Sequence, residues 1–161
     1  MILVEPSPGG GVRAIKNLYP IDVPGVVYSV HMYEPGAFTH QQVLAGYDDT
    51  TTYPGTIAGE TWDKAAIVEV LAPVTAFQQL TRSPIYIGEF SAVRWAPGAA
   101  TYLADVLDVF ESNGWDWSYH AFREWDGWSL ECPSDKTPCV ANVMSDRQQV
   151  VRDVLQKNLT P

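Results

Sequence analysis

PIYIGEF, at residues 84–90, is a short apolar run that carries a single carboxylate close to its C-terminal end. A run of this length, bounded by proline and by a loop, is typical of a buried β-strand. Because strand side chains alternate between two faces, Glu89 is expected to continue the face of Ile85 and Ile87. A charge on a buried face is costly unless it is paired. Taken alone, Glu89 fits a salt-bridged structural residue as well as a catalytic carboxylate.

Three further runs read as strands, and helical patterns separate them. The strands are expected at residues 2–5, 25–33 and 115–122. Apolar residues at helical spacing predict helices at about residues 12–18, 62–80, 99–113 and 145–158. Thr61 is expected to cap the second of these helices, and Pro73 to kink or split it. Strands that alternate with helices indicate an α/β fold with a parallel sheet.

The length and composition of the chain predict a single globular domain over residues 1–161. The net charge of -9 argues against nucleic acid and anionic membrane as partners, and it is compatible with a neutral sugar polymer. No apolar span is long enough for a transmembrane helix, and residues 1–4 lack the features of a signal peptide.

The two cysteines, Cys132 and Cys139, lie in a loop that contains proline and serine. Their separation is compatible with a loop-closing disulfide and equally with two free thiols. No histidine or further cysteine lies at ligand spacing from them, so no metal site is expected.

Polar side chains follow the predicted strands at their C-terminal ends. They are Glu5, His31, Tyr33, Glu89 and His120. Because these ends meet on one rim in a βα repeat, the side chains are expected to converge. Carboxylate, imidazole and phenol groups together suit acid–base or nucleophilic chemistry on a polar substrate. The alternative is that His31 and His120 are hydrogen-bonded core residues.

Three motifs resemble the C-terminal half of a glycoside hydrolase family 5 enzyme of the cellulase or endoglucanase type. They are YSVHMYEPGAFTHQ, PIYIGEFSAVRWAPGAATYL and GWDWSYHAFREWDGW. The resemblance implies strands five to eight of a (β/α)8 TIM barrel, about four βα units in all. It also implies retaining hydrolysis of β-glycosidic bonds without a cofactor. β-1,4-Glucan is the favoured substrate, with mannan and xylan left open.

The resemblance also implies roles for individual residues. Glu89 matches the nucleophile at the end of strand seven, and His31 and Tyr33 match the strand-six pair that contacts the sugar and positions that nucleophile. A tyrosine hydroxyl close to Glu89 would hold it ionised, because hydrogen bonds to a carboxylate favour its charged form. The expected substrate-binding residues are Trp95, His120, Trp125 and Trp128. The bulky side chains of residues 115–119 are instead expected to pack against helices.

The acid/base residue is not evident. The family's acid/base follows an asparagine on strand four, whereas the sequence contains no Asn-Glu pair and begins near strand five. Glu5, Glu34 and Glu124 are the candidates that the chain offers. The runner-up function is therefore a non-catalytic carbohydrate-binding module or an inactive barrel fragment.

Half a barrel has two unpaired sheet edges, which invite pairing with another chain. A homo-oligomer, either a dimer or another closed assembly, is therefore expected to complete the sheet. An enzyme that cuts polymers normally works outside the cytoplasm, so the parent enzyme is expected to be secreted or periplasmic. A disulfide would agree with that location.

Overall fold

The computed structural model describes residues 1–140 and 143–159. In chain order the strands are β1 (Ile2–Val4), β2 (Val26–Met32), β3 (Gly55–Ile57), β4 (Glu60–Trp62), β5 (Ile85–Phe90) and β6 (Asp116–Trp117). The α-helices are α1 (Gly36–Thr39), α2 (Lys64–Thr81), α3 (Ala99–Ser112) and α4 (Asp146–Asn158), and Val12–Asn17 forms a 3-10 helix. None of the described helices is long and apolar enough to cross a membrane.

A four-stranded parallel sheet in the order β1-β2-β5-β6 forms the centre of the molecule. The predicted α/β class and the parallel sheet are confirmed. The last strand is shorter than expected, because β6 ends at Trp117 and residues 118–122 leave the sheet as a loop. His120 therefore lies in that loop, although its backbone N–H still donates to the carbonyl of Phe90 at the end of β5.

A two-stranded antiparallel hairpin, β3-β4, occupies the polar segment before α2 and was not expected. It places Thr61 inside β4, so the prediction that Thr61 caps α2 is wrong. Asp63 is the cap instead, because its carboxylate accepts from the N–H of Ala66 at 3.0 Å. Pro73 lies inside α2 without dividing it. The helix is held by burial of one side against the core, including Val70, Leu71 and Val74.

The ends of the other two long helices follow ordinary capping rules. α3 ends at Ser112, and Gly114 takes the left-handed backbone (φ 67°) that glycine adopts freely just after a helix. α4 begins with the Oγ of Ser145 accepting from the N–H of Gln148 at 3.0 Å. The sequence predicted all of these boundaries to within a residue or two.

One face of the sheet packs on the helices and the other stays open. The buried face consists of Tyr28, Val30, Met32, Ile85, Ile87 and Phe90. Phe90 packs edge-on against Phe110 of α3, with ring centroids 5.2 Å apart. The opposite face carries His31 and the glycine of β5, and it is the face on which the candidate site forms.

A β-bulge in β5 decides where Glu89 points. Val30 pairs with Ile87 but the next residue, His31, pairs with Glu89, so Gly88 is left without a partner of its own. Glu89 thereby faces the open side with His31, while Ile85 and Ile87 face the helices. The prediction that Glu89 continues the face of the two isoleucines is wrong, because the extra residue breaks the alternation.

The edge of β1 is unpaired on one side, and its side chains Ile2 and Leu3 are 51% and 47% exposed. Completion by a second copy remains a prediction. We expect a solution mass of two or more chains at micromolar concentration, measured by sedimentation equilibrium, because a free apolar edge favours strand pairing. Leu3→Lys should shift the protein towards one chain, while Leu80→Lys on the exposed side of α2 should not. A wild-type mass equal to one chain would contradict the prediction.

Candidate active site

The candidate site lies at the C-terminal ends of β2 and β5, on the edge of the four-stranded sheet where the strands lead into loops. β2 delivers His31 and then Tyr33, and β5 delivers Glu89. The sequence predicted that these three side chains would meet, and the structure brings them together. Their side chains are only partly exposed, which keeps them accessible to a ligand from the open side of the sheet.

Two neighbouring side chains approach the same carboxylate oxygen of Glu89. The hydroxyl of Tyr33 donates to Oε2 of Glu89 at 2.9 Å, and Nδ1 of His31 lies 3.7 Å from that atom. Burial and the hydrogen bond to Glu89 raise the pKa of the Tyr33 phenol well above its ordinary value, so Tyr33 stays protonated and donates at every physiological pH. This is the tyrosine–carboxylate contact that the sequence predicted.

Glu5 reaches the site from β1 but does not touch Glu89 in the hydrogen-bond and ion-pair network. Its Oε1 accepts from the Oγ of Ser29 at 2.8 Å and lies 3.2 Å from Nε2 of His31. The imidazole of His31 therefore stands between the two carboxylates. The alternative that His31 is a hydrogen-bonded core residue remains compatible with its contact to Glu5, so its role in the site stays a prediction.

The other two carboxylates considered as acid/base candidates have partners elsewhere. Glu34 forms an ion pair with Nε of Arg13 at 2.9 Å. Glu124 is largely exposed, and its Oε2 lies 3.4 Å from Nε2 of His120. His120 and Glu124 thus stand beside the end of β5, but neither is in contact with Glu89.

Aromatic rings form one wall of the site around Trp128. The centroid of Trp128 lies 5.0 Å from that of His40, 5.3 Å from Trp125, 6.1 Å from Tyr33 and 6.3 Å from His120. Trp125 is 40% exposed, so part of its ring is free to contact a ligand. Three of the four predicted substrate-binding side chains thus lie together, namely Trp125, Trp128 and His120.

The fourth, Trp95, supports this wall from behind. Its ring packs edge-on against Trp125 at 5.8 Å, and Nζ of Lys136 lies 4.9 Å from its centroid. Its indole N–H donates to the carbonyl of Gln41 at 3.2 Å. Trp95 thus contacts the same wall through Trp125, and its role in substrate binding stays a prediction.

His40 is a member of the site that sequence reasoning missed. Its ring packs at 5.0 Å against both Tyr33 and Trp128, and its Nδ1 lies 2.9 Å from the Oγ1 of Thr39. Burial lowers the pKa of His40, which favours the neutral ring. The signal available in the sequence was that His40 belongs to the same motif as His31 and Tyr33. His40, His31 and Tyr33 also line a cleft of about 250 Å³ that extends away from Glu89.

Two buried arginines hold the loop that follows Trp128, a role that was not predicted from the sequence. Arg94 donates to the carbonyls of Pro133 at 3.0 Å and Thr137 at 2.8 Å, and also to that of Asp135. Arg147, fully buried, donates to the carbonyls of Ser129 at 3.1 Å and Cys132 at 2.9 Å. Backbone groups of a loop are thus satisfied by guanidinium forks.

The same loop is closed by a disulfide between Cys132 and Cys139, which resolves the choice left open by their spacing. The two sulfurs and the exposed carboxylate of Asp126 come together as a group of potential metal ligands. Because both sulfurs are consumed in the disulfide, this group offers no thiolate to a metal ion.

The chain is similar in sequence to two known endoglucanases. Endoglucanase C of Acetivibrio thermocellus is 26% identical over 138 residues, covering 65% of this chain and 39% of that enzyme. Endoglucanase C307 of Clostridium sp. strain F1 matches with the same identity and coverage. No protein-family model matches the chain.

Solved structures share the fold over a larger part of the chain. Cel5A, an endoglucanase from Thermotoga maritima, has a TM-score of 0.72 at 24% identity, covering 92% of this chain and 46% of its own. The same enzyme has been solved with a mannotriose substrate, where the TM-score is 0.70 and the identity 22%.

The chain therefore has an α/β fold with a parallel sheet that resembles the fold of these endoglucanases. The resemblance to glycoside hydrolase family 5 endoglucanases is confirmed, and it covers most of the chain. The chain spans less than half the length of each of these relatives.

Proposed function

We propose that the chain carries the nucleophile side of a retaining glycoside hydrolase that acts on β-1,4-glucan, with Glu89 as the nucleophile. The observation that carries the proposal is the placement of Glu89. The bulge turns its carboxylate to the open face, Tyr33 donates to it at 2.9 Å, and the ring of Trp128 lies 6.1 Å from that of Tyr33. A partly exposed carboxylate with a fixed donor is what a nucleophilic role requires.

In the first step an oxygen of the Glu89 carboxylate attacks the anomeric carbon. The bond between that carbon and the glycosidic oxygen breaks, and the leaving oxygen takes a proton from an acid. In the second step water gives a proton to the same group, now a base, and attacks the anomeric carbon. The ester bond to Glu89 breaks and restores the free carboxylate, so the anomeric configuration is retained.

Tyr33 serves this cycle by holding Glu89, and the His31 ring packs beside the carboxylate. The Tyr33 hydroxyl fixes Oε2, which leaves the second oxygen, Oε1, available for attack. Because the phenol stays protonated, its hydrogen bond to Oε2 also stabilises the carboxylate as negative charge returns to Glu89 in the second step.

We assign the acid/base role to a carboxylate that lies outside the strand that carries Glu89. Glu124 is the candidate within the chain, because it is exposed beside His120 and the aromatic wall. A glutamate of a second copy is the other candidate. Either source would be less well placed than a carboxylate fixed on a neighbouring strand, so we expect weak activity on unactivated glucan and better activity on substrates whose leaving group needs no proton.

The aromatic wall indicates a sugar as the substrate. Trp125 and Trp128 present indole surface next to the nucleophile, and an acidic chain with net charge -9 is suited to a neutral polymer. The solved relative Cel5A has been crystallised with cellobiose and with mannotriose. We therefore propose β-1,4-glucan as the first substrate to test and mannan as the second.

Covalent trapping tests the proposal directly. The chain is incubated with 2,4-dinitrophenyl 2-deoxy-2-fluoro-β-cellobioside, whose leaving group needs no acid and whose fluorine slows the second step. We expect release of dinitrophenolate equal to the protein present and a mass increase of one fluorocellobiosyl group, which peptide mapping places on Glu89. Absence of the adduct, or an adduct on another residue, would contradict the proposal.

The alternative function is carbohydrate binding without catalysis, which the exposed Trp125 and the unassigned acid favour. It would appear as affinity for soluble β-glucan in titration calorimetry, with neither adduct nor release of reducing ends. We also propose that the parent protein works outside the cytoplasm, in agreement with the disulfide of residues 132 and 139.

A further inference from the structure

The feature that the reaction scheme leaves unused is Glu5. Its Oε1 accepts from the Oγ of Ser29 at 2.8 Å and lies 3.2 Å from Nε2 of His31. On the other side of the ring, Nδ1 of His31 lies 3.7 Å from Oε2 of Glu89. The imidazole of His31 thus lies between Glu5 and Glu89, the proposed nucleophile. Glu5 contacts Glu89 only through this ring.

The His31 ring is confined by backbone on two sides. A Cβ on Gly10 would lie 3.0 Å from Cγ and Nδ1 of His31, and a Cβ on Gly88 would lie 3.3 Å from its Nε2. The carbonyl of Gly10 also accepts from the His31 backbone N–H at 2.7 Å. Because glycine stands at both positions, the ring is packed closely and has little room to rotate.

Glu5 is fixed as well, although its side chain is 41% exposed. Ser29 is fully buried in β2, and its hydroxyl donates to the same oxygen of Glu5 that faces His31. An ionised carboxylate only accepts hydrogen bonds. The short contact to Glu5 therefore requires the proton of a neutral His31 to be on Nε2, which leaves the lone pair on Nδ1.

We propose that Glu5 is a positioning residue that sets the tautomer of His31 and, through it, the environment of Glu89. The inference rests on the proposed function of Glu89. With the proton held on Nε2, the neutral ring does not donate a hydrogen bond to Glu89, and Tyr33 remains the donor to Oε2. A ring with the opposite tautomer would place an N–H at Nδ1 towards the nucleophile and make it less reactive, because a second donor stabilises the carboxylate before attack.

The proposal gives Glu5 a role other than that of the acid/base. The Glu5 oxygen is already engaged by the Ser29 hydroxyl and by Nε2 of His31, whereas the acid/base needs a carboxyl group free to exchange a proton with the leaving oxygen. Glu5 acts only through His31, as a carboxylate does when it orients a functional histidine.

The test combines the tautomer of His31 with kinetics. Long-range ¹H–¹⁵N correlation spectra of ¹⁵N-histidine protein report which ring nitrogen carries the proton, and the His31→Gln spectrum assigns the signals among the three histidines. We expect the Nε2–H form in the wild type, predominance of the Nδ1–H form in Glu5→Ala, because Nδ1 faces the Glu89 carboxylate, and retention of the Nε2–H form in Glu5→Gln, whose amide oxygen still accepts. On an aryl β-cellobioside, kcat of Glu5→Ala should fall about 10- to 100-fold with KM changed less than about twofold.

Glu69→Gln, at an exposed position of α2, is the matched control and should change neither the spectrum nor kcat. The inference is overturned if Glu5→Ala keeps the wild-type tautomer, or if the wild type carries the proton on Nδ1. These results are readable whether or not the chain turns over substrate. An inactive wild type with the expected tautomers refutes the proposed function alone, whereas an active wild type with an unchanged Glu5→Ala spectrum refutes the role of Glu5 alone.

Discussion

Replacing Glu89 by glutamine is expected to abolish hydrolysis of an activated aryl β-cellobioside, with a loss of at least about 10³-fold in kcat. The amide has nearly the shape of the carboxylate and can still accept from Tyr33, so the fold of the site should persist. It cannot attack the anomeric carbon as an anion. The measurement is release of the aryl chromophore under saturating substrate, with the fold checked by circular dichroism.

The control for this substitution removes the same charge at another position. Glu69→Gln should retain full turnover, because Glu69 is exposed on α2, which contributes no residue to the candidate site. Glu89→Ala offers a second readout. With the side chain gone, added azide has space to attack the anomeric carbon, and the product should be a glycosyl azide of inverted configuration. Unchanged turnover by Glu89→Gln, or failure of azide to give this product, would refute the nucleophilic role.

The individual strands and the long helices could be predicted from the sequence because they depend on local patterns. The apolar run before Glu89 bounds a strand, and the spacing of Leu103, Val106, Leu107 and Phe110 marks one side of α3, whose buried residues include all four. The pairing of Ser145 with Gln148 likewise depends on residues three positions apart. Each of these signals is contained within a single element.

The direction of Glu89 could not be predicted in the same way, because it depends on pairing with another strand. A strict alternation sends Glu89 to the helix side, and only the register of β5 on β2 shows the bulge at Gly88. A Cβ at Gly88 would lie 2.6 Å from the Oγ of Ser29, so glycine is required by the close approach of the two strands. A glycine directly before a polar strand end was the available signal.

The contacts between the site residues could not be predicted from the sequence for a related reason. Glu5 and His31 are separated by 26 residues, and Trp95 and Gln41 by 54. No periodicity within an element connects such pairs. The sequence could nominate Glu5, His31 and Trp95 individually, but it could not show that the first sets the second or that the third supports Trp125.

Gly98→Ala is expected to cause the largest loss of stability among single substitutions of glycine. Gly98 precedes α3 with φ at 87°, and a Cβ there would lie 1.8 Å from the carbonyl oxygen of Tyr53. Tyr53 cannot easily retreat. It is buried, its N–H donates to Pro97 at 3.0 Å, and its hydroxyl donates to Asp105 at 2.7 Å.

The matched control is Gly46→Ala, because Gly46 has φ at 88° and a Cβ there would meet nothing within 4 Å. This variant isolates the cost of a left-handed backbone for a residue with a side chain, about 1 to 2 kcal/mol. Gly98→Ala adds the displacement of Tyr53, so its free energy of unfolding should fall by roughly 3 kcal/mol or more. Urea denaturation measures both values. Equal losses in the two variants would contradict the prediction. They would show that Tyr53 and the loop before α3 move aside without a cost in stability, although their hydrogen bonds indicate that they cannot.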